Sequence, residues 1–451
     1  MKCRQLNSKE ILKSKRFDGS YHNADVNIYN SVITSHSSHT LSYYCSEIFT
    51  SGRNKRVYTK AEFGDPFLSN SDASSSDPFN TCKYSSKKYG YDESALLKGG
   101  MILTGRVGAI GQTVFVPKYW EKYRTQGSDN IIRIVVKHQF KNGFIYAYLA
   151  SKIGNLSFWK HATGGVQPFI TDKMVGQLPI PDFSGTFQQE VDNLVQEAAR
   201  LRKEAADTLR EAIDYFDSTF KINEEITKMF SLKLSQLRLG IAAYNNNIEV
   251  DEFIANYKEN SIRLKDITSN IFAPPLFKHI YLNKDNGYPF MTGSELTQFN
   301  LRFYRWLSPR GVKDINDYVV KKGTLLLYKS GTIDGGILGN VFIADKKLDG
   351  CCLSDHVIRI VFNDEKMAYW SFAFLKSKGA IKMLQRLATG TMIPFITPDR
   401  IAELMIPAPN EKYAHIVDLV EKYINFNSQS KENETKAIEM VEQEIEKWNK
   451  H

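Results

Sequence analysis

The chain has 451 residues, of which 42% are hydrophobic and 24% are charged, and its net charge is +9 with an isoelectric point near 9.0. This length predicts two or three domains with cores of their own, and the sequence lacks the run of roughly 20 apolar residues that spans a bilayer. The excess of lysine and arginine favours a polyanionic partner.

Neither the N-terminus nor the cysteines indicate export. The first residues lack an apolar core of signal-peptide length. The five cysteines show no spacing typical of paired disulfides or of a zinc site. We therefore expect a cytoplasmic protein with reduced thiols.

The first globular part, at about 1–182, is predicted to be mixed α/β. Short β-rich runs bounded by turn residues predict strands at 101–103, 113–116 and 131–135, and a helix is expected at 144–156. A basic run with an interleaved tyrosine supplies candidates for contact with nucleic acid, because lysine and arginine neutralise phosphates and arginine also reads base edges. These candidates are Arg53, Lys55, Arg56 and Lys60. The alternative is a solvated charged surface.

A glycine-rich turn at 105–111 carries one cation, Arg106. Its spacing differs from that of dinucleotide-binding and nucleoside-triphosphate loops. A second turn, beginning at Lys329, repeats the pattern basic-x-Gly-x-Ile. A repeated turn with one cation suits close approach of the backbone to a phosphate of DNA. The alternative is a tight turn between strands with an incidental cation.

Two stretches without glycine or proline, at 186–239 and 410–451, predict long helices. Apolar residues at three- and four-residue steps form a narrow seam in each, which is typical of a coiled coil. The candidate pairing residues are Val191, Leu194, Ala198, Leu201, Val417, Val420, Ile424, Ile438, Val441 and Ile445. We expect the first helix to bend near 221–223 and the second to fray at 427–433. The alternative is two amphipathic helices, each packed on its own domain.

The second globular part, at about 241–408, is again predicted to be mixed α/β, with a strand at 325–328 and a helix at 367–384. A basic and aromatic run supplies three further candidates for contact with DNA: Arg302, Arg305 and Arg310. This run does not align with the basic run of the first part. That difference is expected if a duplicated scaffold reads two different sequences.

The two parts are an internal repeat. Residues 128–181 and 354–407 share 20 identical residues in 54 positions without a gap. The repeat includes Ser-Asp-Asn/His-Ile/Val-Ile-Arg-Ile-Val and Thr-Gly-x-x-x-Pro-Phe-Ile-Thr. The nine histidines show no metal-binding spacing, and we found no convincing catalytic motif. We therefore expect no catalytic residue and no metal site.

In these motifs the chain resembles the DNA-specificity subunits of type I restriction–modification systems. The similarity rests on the Gly-x-Pro-Phe segments at 64–67 and 287–290, the strands that follow Gly100 and Gly323, and the motifs of the repeat up to Pro181 and Pro407. It covers nearly the whole chain. Each motif alone is loose, but their order, which occurs twice, is specific.

The resemblance implies a mixed α/β fold with two target recognition domains, 1–182 and 241–408, and two helical spacers, 183–240 and 409–451. The spacers are expected to pair as an antiparallel coiled coil with pseudo-twofold symmetry. The chain would have no activity and bind no cofactor of its own. It would bind a bipartite site in double-stranded DNA and dock two methyltransferase subunits, which bring S-adenosylmethionine.

A restriction subunit, which acts as a translocating nuclease, is a further possible partner. The alternatives are a specificity subunit of a type IIB-like fused enzyme and a stand-alone DNA-binding scaffold or regulator.

Overall fold

The computed structural model of the chain describes residues 7–448 except 20, 54, 81, 90–91, 165, 224–230, 232, 234, 236, 238–239, 241, 334–335 and 391. The chain divides into two compact units, which are 1–203 with 429–451 (unit 1) and 204–428 (unit 2). None of the described helices combines the length and the apolar character needed to cross a membrane.

Unit 1 is a mixed α/β unit. Its helices are α1 (Ser8–Ser14), α2 (Ala24–Ser35), α3 (Leu41–Tyr44), α4 (Asn70–Ala73), α5 (Asn142–Ala150), α6 (Lys152–His161), α7 (Asp172–Gly176) and the first part of α8 (Gly185–Thr219). Its strands are β1 (His39–Thr40), β2 (Cys45–Thr50), β3 (Tyr58–Thr59), β4 (Gly64–Leu68), β5 (Lys83–Ser86), β6 (Ile102–Gly105), β7 (Thr113–Phe115), β8 (Gln126–Gly127), β9 (Ile131–Val136) and β10 (Pro179–Ile180).

Eight strands of unit 1 form a main sheet and a small sheet, while β1 pairs only with β10. The main sheet has the order β2-β9-β6-β7 and is antiparallel. The small sheet has the order β3-β5-β4-β8, in which only β4 and β8 run parallel. One core contains buried isoleucines of the main sheet, α5, Val191 and Val195.

Unit 2 contains the rest of α8 and the helices α9 (Ile248–Ala255), α10 (Leu264–Ile267), α11 (Gly293–Leu296), α12 (Glu365–Leu375), α13 (Lys378–Arg386) and α14 (Pro398–Ala402), with the first part of α15 (Tyr413–Trp448). The last part of α15 belongs to unit 1. The strands of unit 2 are β11 (Ser261–Arg263), β12 (Thr268–Phe272), β13 (Tyr281–Leu282), β14 (Tyr288–Met291), β15 (Arg305–Leu307), β16 (Leu325–Tyr328), β17 (Val341–Ile343), β18 (Cys352–Leu353), β19 (Val357–Phe362) and β20 (Met405–Pro407).

The sheets of unit 2 repeat those of unit 1 strand for strand. The main sheet is β12-β19-β16-β17, and the small sheet is β13-β15-β14-β18 with only β14 and β18 parallel. The predicted mixed α/β class is confirmed in both units, and the sequence repeat corresponds to a repeat of topology.

Each helix predicted at the end of the repeat is in fact two helices. Ser151 separates α5 from α6, and Ser377 lies between α12 and α13. Both serines have extended backbone, and the hydroxyl of each accepts a hydrogen bond from the first turn of the following helix, at 3.0 Å for Gly154 N–H and 3.4 Å for Ala380 N–H. N-capping by serine therefore starts a new helix where apolar periodicity alone predicts a continuous one.

The first long helix ends earlier than predicted. Helix α8 stops at Thr219, and residues 220–223 are not helical, so the predicted bend lies beyond the helix. Phe220 packs against the core of unit 2, with its ring 5.3 Å from that of Tyr257. Much of 224–239 lies outside the described residues.

The predicted fraying of the second long helix is wrong, because α15 is continuous across 427–433. Polar residues near this segment are buried and paired in unit 1. The Ser430 hydroxyl donates to the Ala198 carbonyl at 2.6 Å, and Glu434 forms an ion pair with Arg202 at 2.7 Å. These polar side chains are therefore satisfied by protein groups and not by water, so the segment remains helical although it is polar.

The described cysteines are free thiols in both units. Cys45, Cys82, Cys351 and Cys352 are buried, and burial raises the pKa of each thiol to about 12. Cys3 lies outside the described residues. These four side chains act as small apolar core residues.

Candidate nucleic-acid interface

Three loops of unit 1 meet at one end of the main sheet. In the antiparallel register, Thr50 at the end of β2 lies opposite Ile132, and Gly105 at the end of β6 lies opposite Ile131. The loops after β2 and β6 and the loop before β9 therefore share this end. They carry Arg53 and Arg56, Arg106, and the Ser-Asp-Asn motif, respectively.

The backbone of Arg106 joins the three repeated motifs. Its N–H donates to the Asn130 carbonyl at 2.8 Å, and its carbonyl accepts from the Ile170 N–H at 2.9 Å. The loop 163–169, which precedes Ile170, is closed by two backbone hydrogen bonds of 2.9 and 2.7 Å between Thr163 and Phe169. The glycine-rich turn, the Ser-Asp-Asn motif and the Thr-Gly-x-x-x-Pro-Phe loop therefore form one structure.

Unit 2 repeats this arrangement around Lys329. The Lys329 N–H donates to the His356 carbonyl at 2.8 Å, and the Lys329 carbonyl accepts from the Ile396 N–H at 2.7 Å. Thr389 and Phe395 pair as their counterparts do, at 2.9 and 2.8 Å. The two predicted cations of the glycine-rich turns thus occupy equivalent positions in the two units.

A buried arginine holds the loop before β9 in unit 1 and before β19 in unit 2. The guanidinium of Arg133 donates to the carbonyls of Ala95, Gly127, Ser128 and Ile131 at 2.5–3.4 Å. Arg359 donates to the four equivalent carbonyls, those of Tyr318, Leu353, Ser354 and Val357, over the same range. Burial lowers the pKa of each guanidinium to about 10. This contact explains the repeated Ile-Arg-Ile motif, because the arginine fixes the loop that carries Asp129 or Asp355.

The three loops of unit 1, together with the Thr-Gly-x-x-x-Pro-Phe loop, surround an open cavity of about 420 Å³. It is lined by Ser51, Arg53, Arg106, Val107, Asp129, Asn130, Gln167 and Phe169. Asp129 forms ion pairs with Arg53, at 3.4 Å, and with Arg56. Burial alone raises the pKa of Asp129, but the hydrogen bond and the charge of Arg56 outweigh burial, so this pKa lies below its ordinary value. Asp129 therefore stays ionised at neutral pH and orients the two arginines.

The other cations predicted from the sequence lie elsewhere. Lys55 and Lys60 are exposed and do not line the cavity. In unit 2, Arg305 is on β15 of the small sheet, where it forms an ion pair with Glu295. Arg302 precedes that strand and Arg310 follows it, whereas Lys329 follows β16 of the main sheet. The basic run of unit 2 therefore belongs to the small sheet. Arg305 pairs with α11, and the Tyr328 hydroxyl, next to Lys329, donates to the Gly293 carbonyl of the same helix.

Three side chains of unit 1 were not among the predicted candidates. Asn130 and Gln167 are exposed beside Arg106, and the signal for them was their position inside two repeated motifs. Lys83 is the counterpart of Arg305, because each lies opposite the phenylalanine of its Gly-x-Pro-Phe strand. Lys83 stacks on Tyr58 at 4.8 Å, as Arg305 stacks on Tyr281 at 5.9 Å. No identical residue marks this equivalence in the sequence.

Metal binding has no evident location in the part of the chain that the structure describes. Within those residues, no group of three or more His, Cys, Asp or Glu side chains is arranged to hold a metal ion. The exposed polar and basic side chains at the sheet ends are instead donors and acceptors of the kind that contact phosphates and base edges.

Among solved structures, the chain is similar to the S subunit of a type I restriction–modification system from M. genitalium, with 11% identity over 91% of this chain and 94% of that one and a TM-score of 0.31. It is also similar to the HsdS subunit from Thermoanaerobacter tengcongensis, with 14% identity over 91% and 95% of the two chains and a TM-score of 0.27. The type IIG restriction endonuclease BpuSI matches over 42% of this chain and 30% of its own, with 10% identity and a TM-score of 0.29.

No curated protein matches the sequence. Residues 257–440 match the family described as the type I restriction modification DNA specificity domain. This segment lies mostly in unit 2 and includes Lys329, Arg359 and the second Thr-Gly-x-x-x-Pro-Phe loop. Over this segment, the match confirms the resemblance to type I restriction modification DNA specificity domains that the repeated motifs indicate.

Proposed function

We propose that this chain is the non-catalytic recognition subunit of a type I restriction–modification complex and binds a bipartite site in duplex DNA. The observation that carries the proposal is the recurrence of one arrangement in both units. A turn with a single cation, Arg106 or Lys329, is held by equivalent backbone hydrogen bonds at the end of the main sheet. Two equivalent sites in one chain suit a target with two half-sites.

The side chains around each turn divide into two kinds. Arg106 and Lys329 are charged groups on a rigid backbone, which suits contact with a phosphate, because such contacts fix position without reading sequence. Asn130 and Gln167 are exposed amides that are able to form paired hydrogen bonds with a base edge. Their counterparts in unit 2 are His356 and Ile393. The shared cation and the differing neighbours support two half-sites of different sequence.

We further propose that α8 and α15 form an antiparallel spacer that sets the gap between the half-sites. Contacts within each unit support opposite helix directions. In unit 1, Phe183 stacks on Trp448 at 4.7 Å, while Ser430 bonds to Ala198 further along the chain. In unit 2, Glu211 lies 3.3 Å from His415, and Tyr215 accepts from Asn410 at 2.8 Å.

The burial of the predicted seam supports the same pairing. Most candidate pairing residues are buried, and Leu194 is partly buried against the core of unit 1. The buried ones are Val191, Ala198, Leu201, Val417, Val420, Ile424, Ile438, Val441 and Ile445. Small residues such as Ala198 allow close approach of the two helices.

The family also implies partners. We infer that the chain docks two methyltransferase subunits, which bring S-adenosylmethionine, and that a restriction subunit is able to join the complex. The cofactor is then bound by the partners and not by this chain. Co-expression with a methyltransferase subunit, followed by purification and mass measurement of the complex, tests the composition.

Replacing Arg106 or Lys329 with alanine is expected to weaken DNA binding about tenfold at low salt, because one charge-assisted hydrogen bond to phosphate is lost. The slope of log Kd against log salt is expected to fall by about 1, with sequence preference unchanged. Fluorescence anisotropy titrations of a duplex target at several salt concentrations measure both quantities.

A matched control for Lys329→Ala is Lys366→Ala. Lys366 is an exposed lysine in α12, which follows β19 at the other end of the same sheet. Its loss is expected to leave affinity and slope unchanged. If Arg106→Ala and Lys329→Ala both keep the slope of the unaltered protein, the two turns do not contact phosphates.

Inserting seven residues into each long helix, after Lys203 in α8 and after Ser428 in α15, is expected to abolish methylation at the original site and to move it to sites with a longer gap. The insertion adds about 10 Å of helix, or roughly three base pairs of duplex. Sequencing that detects methylated bases across a genome measures the gap directly.

The same seven residues inserted after Lys221 serve as the control. Lys221 was predicted to lie within the helix, but α8 ends at Thr219, so this insertion lengthens a connection and not the spacer. The original gap is expected to persist. An unchanged gap in the double insertion would mean that the helices do not set the spacing.

A further inference from the structure

The Thr-Gly-x-x-x-Pro-Phe loop occurs once in each unit, with the same frame and a different tip. We propose that the tip side chains contact base edges and determine the half-site that each unit prefers. These side chains are Val166 and Gln167 in unit 1, and Met392 and Ile393 in unit 2. The proposal rests on the function proposed above and assigns specificity to named residues within it.

The frame of the loop is the same in both units. The backbone pairs Thr163–Phe169 and Thr389–Phe395 close the two loops with hydrogen bonds of 2.7–2.9 Å. Gly164 and Gly390 both have φ of +102°, a conformation that a side chain disfavours. Because the backbone hydrogen bonds and the glycine conformation are the same, the tip residues occupy equivalent positions in the two units.

The base of each loop is anchored to its own unit. In unit 1, the guanidinium of Arg16 donates to the carbonyls of Lys160 and Ala162. In unit 2, Arg400 donates to the Thr389 hydroxyl at 3.2 Å, and Asn245 donates to the Ala388 carbonyl at 2.8 Å. The anchors hold the frame, so the tip residues are presented from a rigid support.

The tips are exposed although they are largely apolar. Val166 is 104% exposed, Met392 is 92% exposed and Ile393 is 69% exposed. Single exposed apolar residues are common, but here they recur at the same loop position in both units. A repeated apolar tip points to a ligand that covers it.

The surroundings of the tips favour DNA as that ligand. Gln167 and Phe169 line the same cavity as Arg53 and Arg106 in unit 1. In unit 2, Gly331 beside Lys329 donates to the Pro394 carbonyl at 3.2 Å. Each tip therefore lies beside the turn whose cation we assign to a phosphate.

The chemistry of the two tips differs in the way that base reading requires. A glutamine amide is able to form two hydrogen bonds with the major-groove edge of adenine, whereas isoleucine and methionine pack against the methyl group of thymine. Docking of two copies of one protein partner requires the same surface twice, and the tips differ at Gln167 and Ile393. The variation within a constant frame therefore favours DNA over a protein partner.

Exchange of the tips tests this assignment in the full chain, purified with its methyltransferase partner. The variant Val166→Met/Gln167→Ile carries the tip of unit 2 in unit 1. It is expected to change the preference for one or two base pairs of one half-site by about tenfold each, because single base contacts discriminate by about that factor. The other half-site, the gap and the salt slope are expected to stay the same. Selection of bound duplexes from a library randomised in both half-sites measures all of these.

The reciprocal variant, Met392→Val/Ile393→Gln, serves as the matched control and is expected to alter only the other half-site. All four side chains are exposed, so both variants are expected to keep the melting temperature of the unaltered protein. The proposal is overturned if a tip variant binds all DNA sequences more weakly by the same factor and its sequence preference does not change. Loss of the methyltransferase from the complex with unchanged preference also overturns it, in favour of a protein partner. If the unaltered complex itself selects no bipartite sequence, the proposed function fails and not only the tip assignment.

Discussion

Exchanging residues 1–182 for the first recognition domain of another specificity subunit is expected to change one half of the DNA target and to leave the other half and the gap as they were. Each mismatched base pair costs about 1–3 kcal/mol. Affinity for the original half-site is therefore expected to fall by about a hundredfold or more when three positions change. Mapping of methylated sites in cells that express the exchanged chain measures both half-sites at once.

The exchange ends before α8, so both long helices keep their own sequence. An exchange of residues 241–408 is the reciprocal control and is expected to alter only the other half-site. A single fused binding surface predicts instead that both half-sites change, or that specific binding disappears, in either exchange. That outcome would refute the proposal of two independent readers.

Replacement of either buried arginine, Arg133 or Arg359, is expected to cause a large loss of stability. Arg133→Met is expected to lower the free energy of unfolding of unit 1 by about 3–5 kcal/mol, because four backbone carbonyls lose their only charged donor in a buried site. Arg359→Met is expected to do the same to unit 2. Urea unfolding followed by circular dichroism, with intrinsic fluorescence as a second probe, measures the change.

Arg200→Met provides the contrast for this experiment. Arg200 is 56% exposed on α8 and pairs with Glu197 one turn away. Its replacement is expected to change the free energy of unfolding by less than about 0.5 kcal/mol. If Arg133→Met is as mild as Arg200→Met, the loop before β9 is held by other contacts.

The fold could be predicted from the sequence where the repeat and the apolar periodicity agreed. The strand runs at 113–116, 131–135 and 325–328 correspond to β7, β9 and β16. The errors arose where tertiary contacts override local pattern. Phe220 lies beyond the end of α8 because it packs against the core of unit 2. The Ser430 hydroxyl donates to the Ala198 carbonyl inside the protein and not to water. Neither contact is visible in the spacing of residues along the chain.

The candidate site could be predicted only in part, because the sequence signals that indicated it were positively charged side chains. Arg53 and Arg106 were found, and the structure places them on one cavity. Asn130 and Gln167 carry no charge, and only the fold shows that two distant motifs bring them beside Arg106. Arg305 was predicted but its counterpart in unit 1, Lys83, was not, since the two are equivalent by strand register and not by residue identity. Which of these side chains read bases stays a prediction.

The division of the long helices between the two units has a consequence for the order in which the chain folds during synthesis. Unit 2 is continuous from 204 to 428, so every residue of its core is synthesised before residues 429–448 of α15. Unit 1 takes Ala437, Ile438, Val441 and Ile445 into its core, and these residues follow the whole of unit 2 in the sequence. The core of unit 1 is therefore completed after that of unit 2, although most of unit 1 is synthesised first.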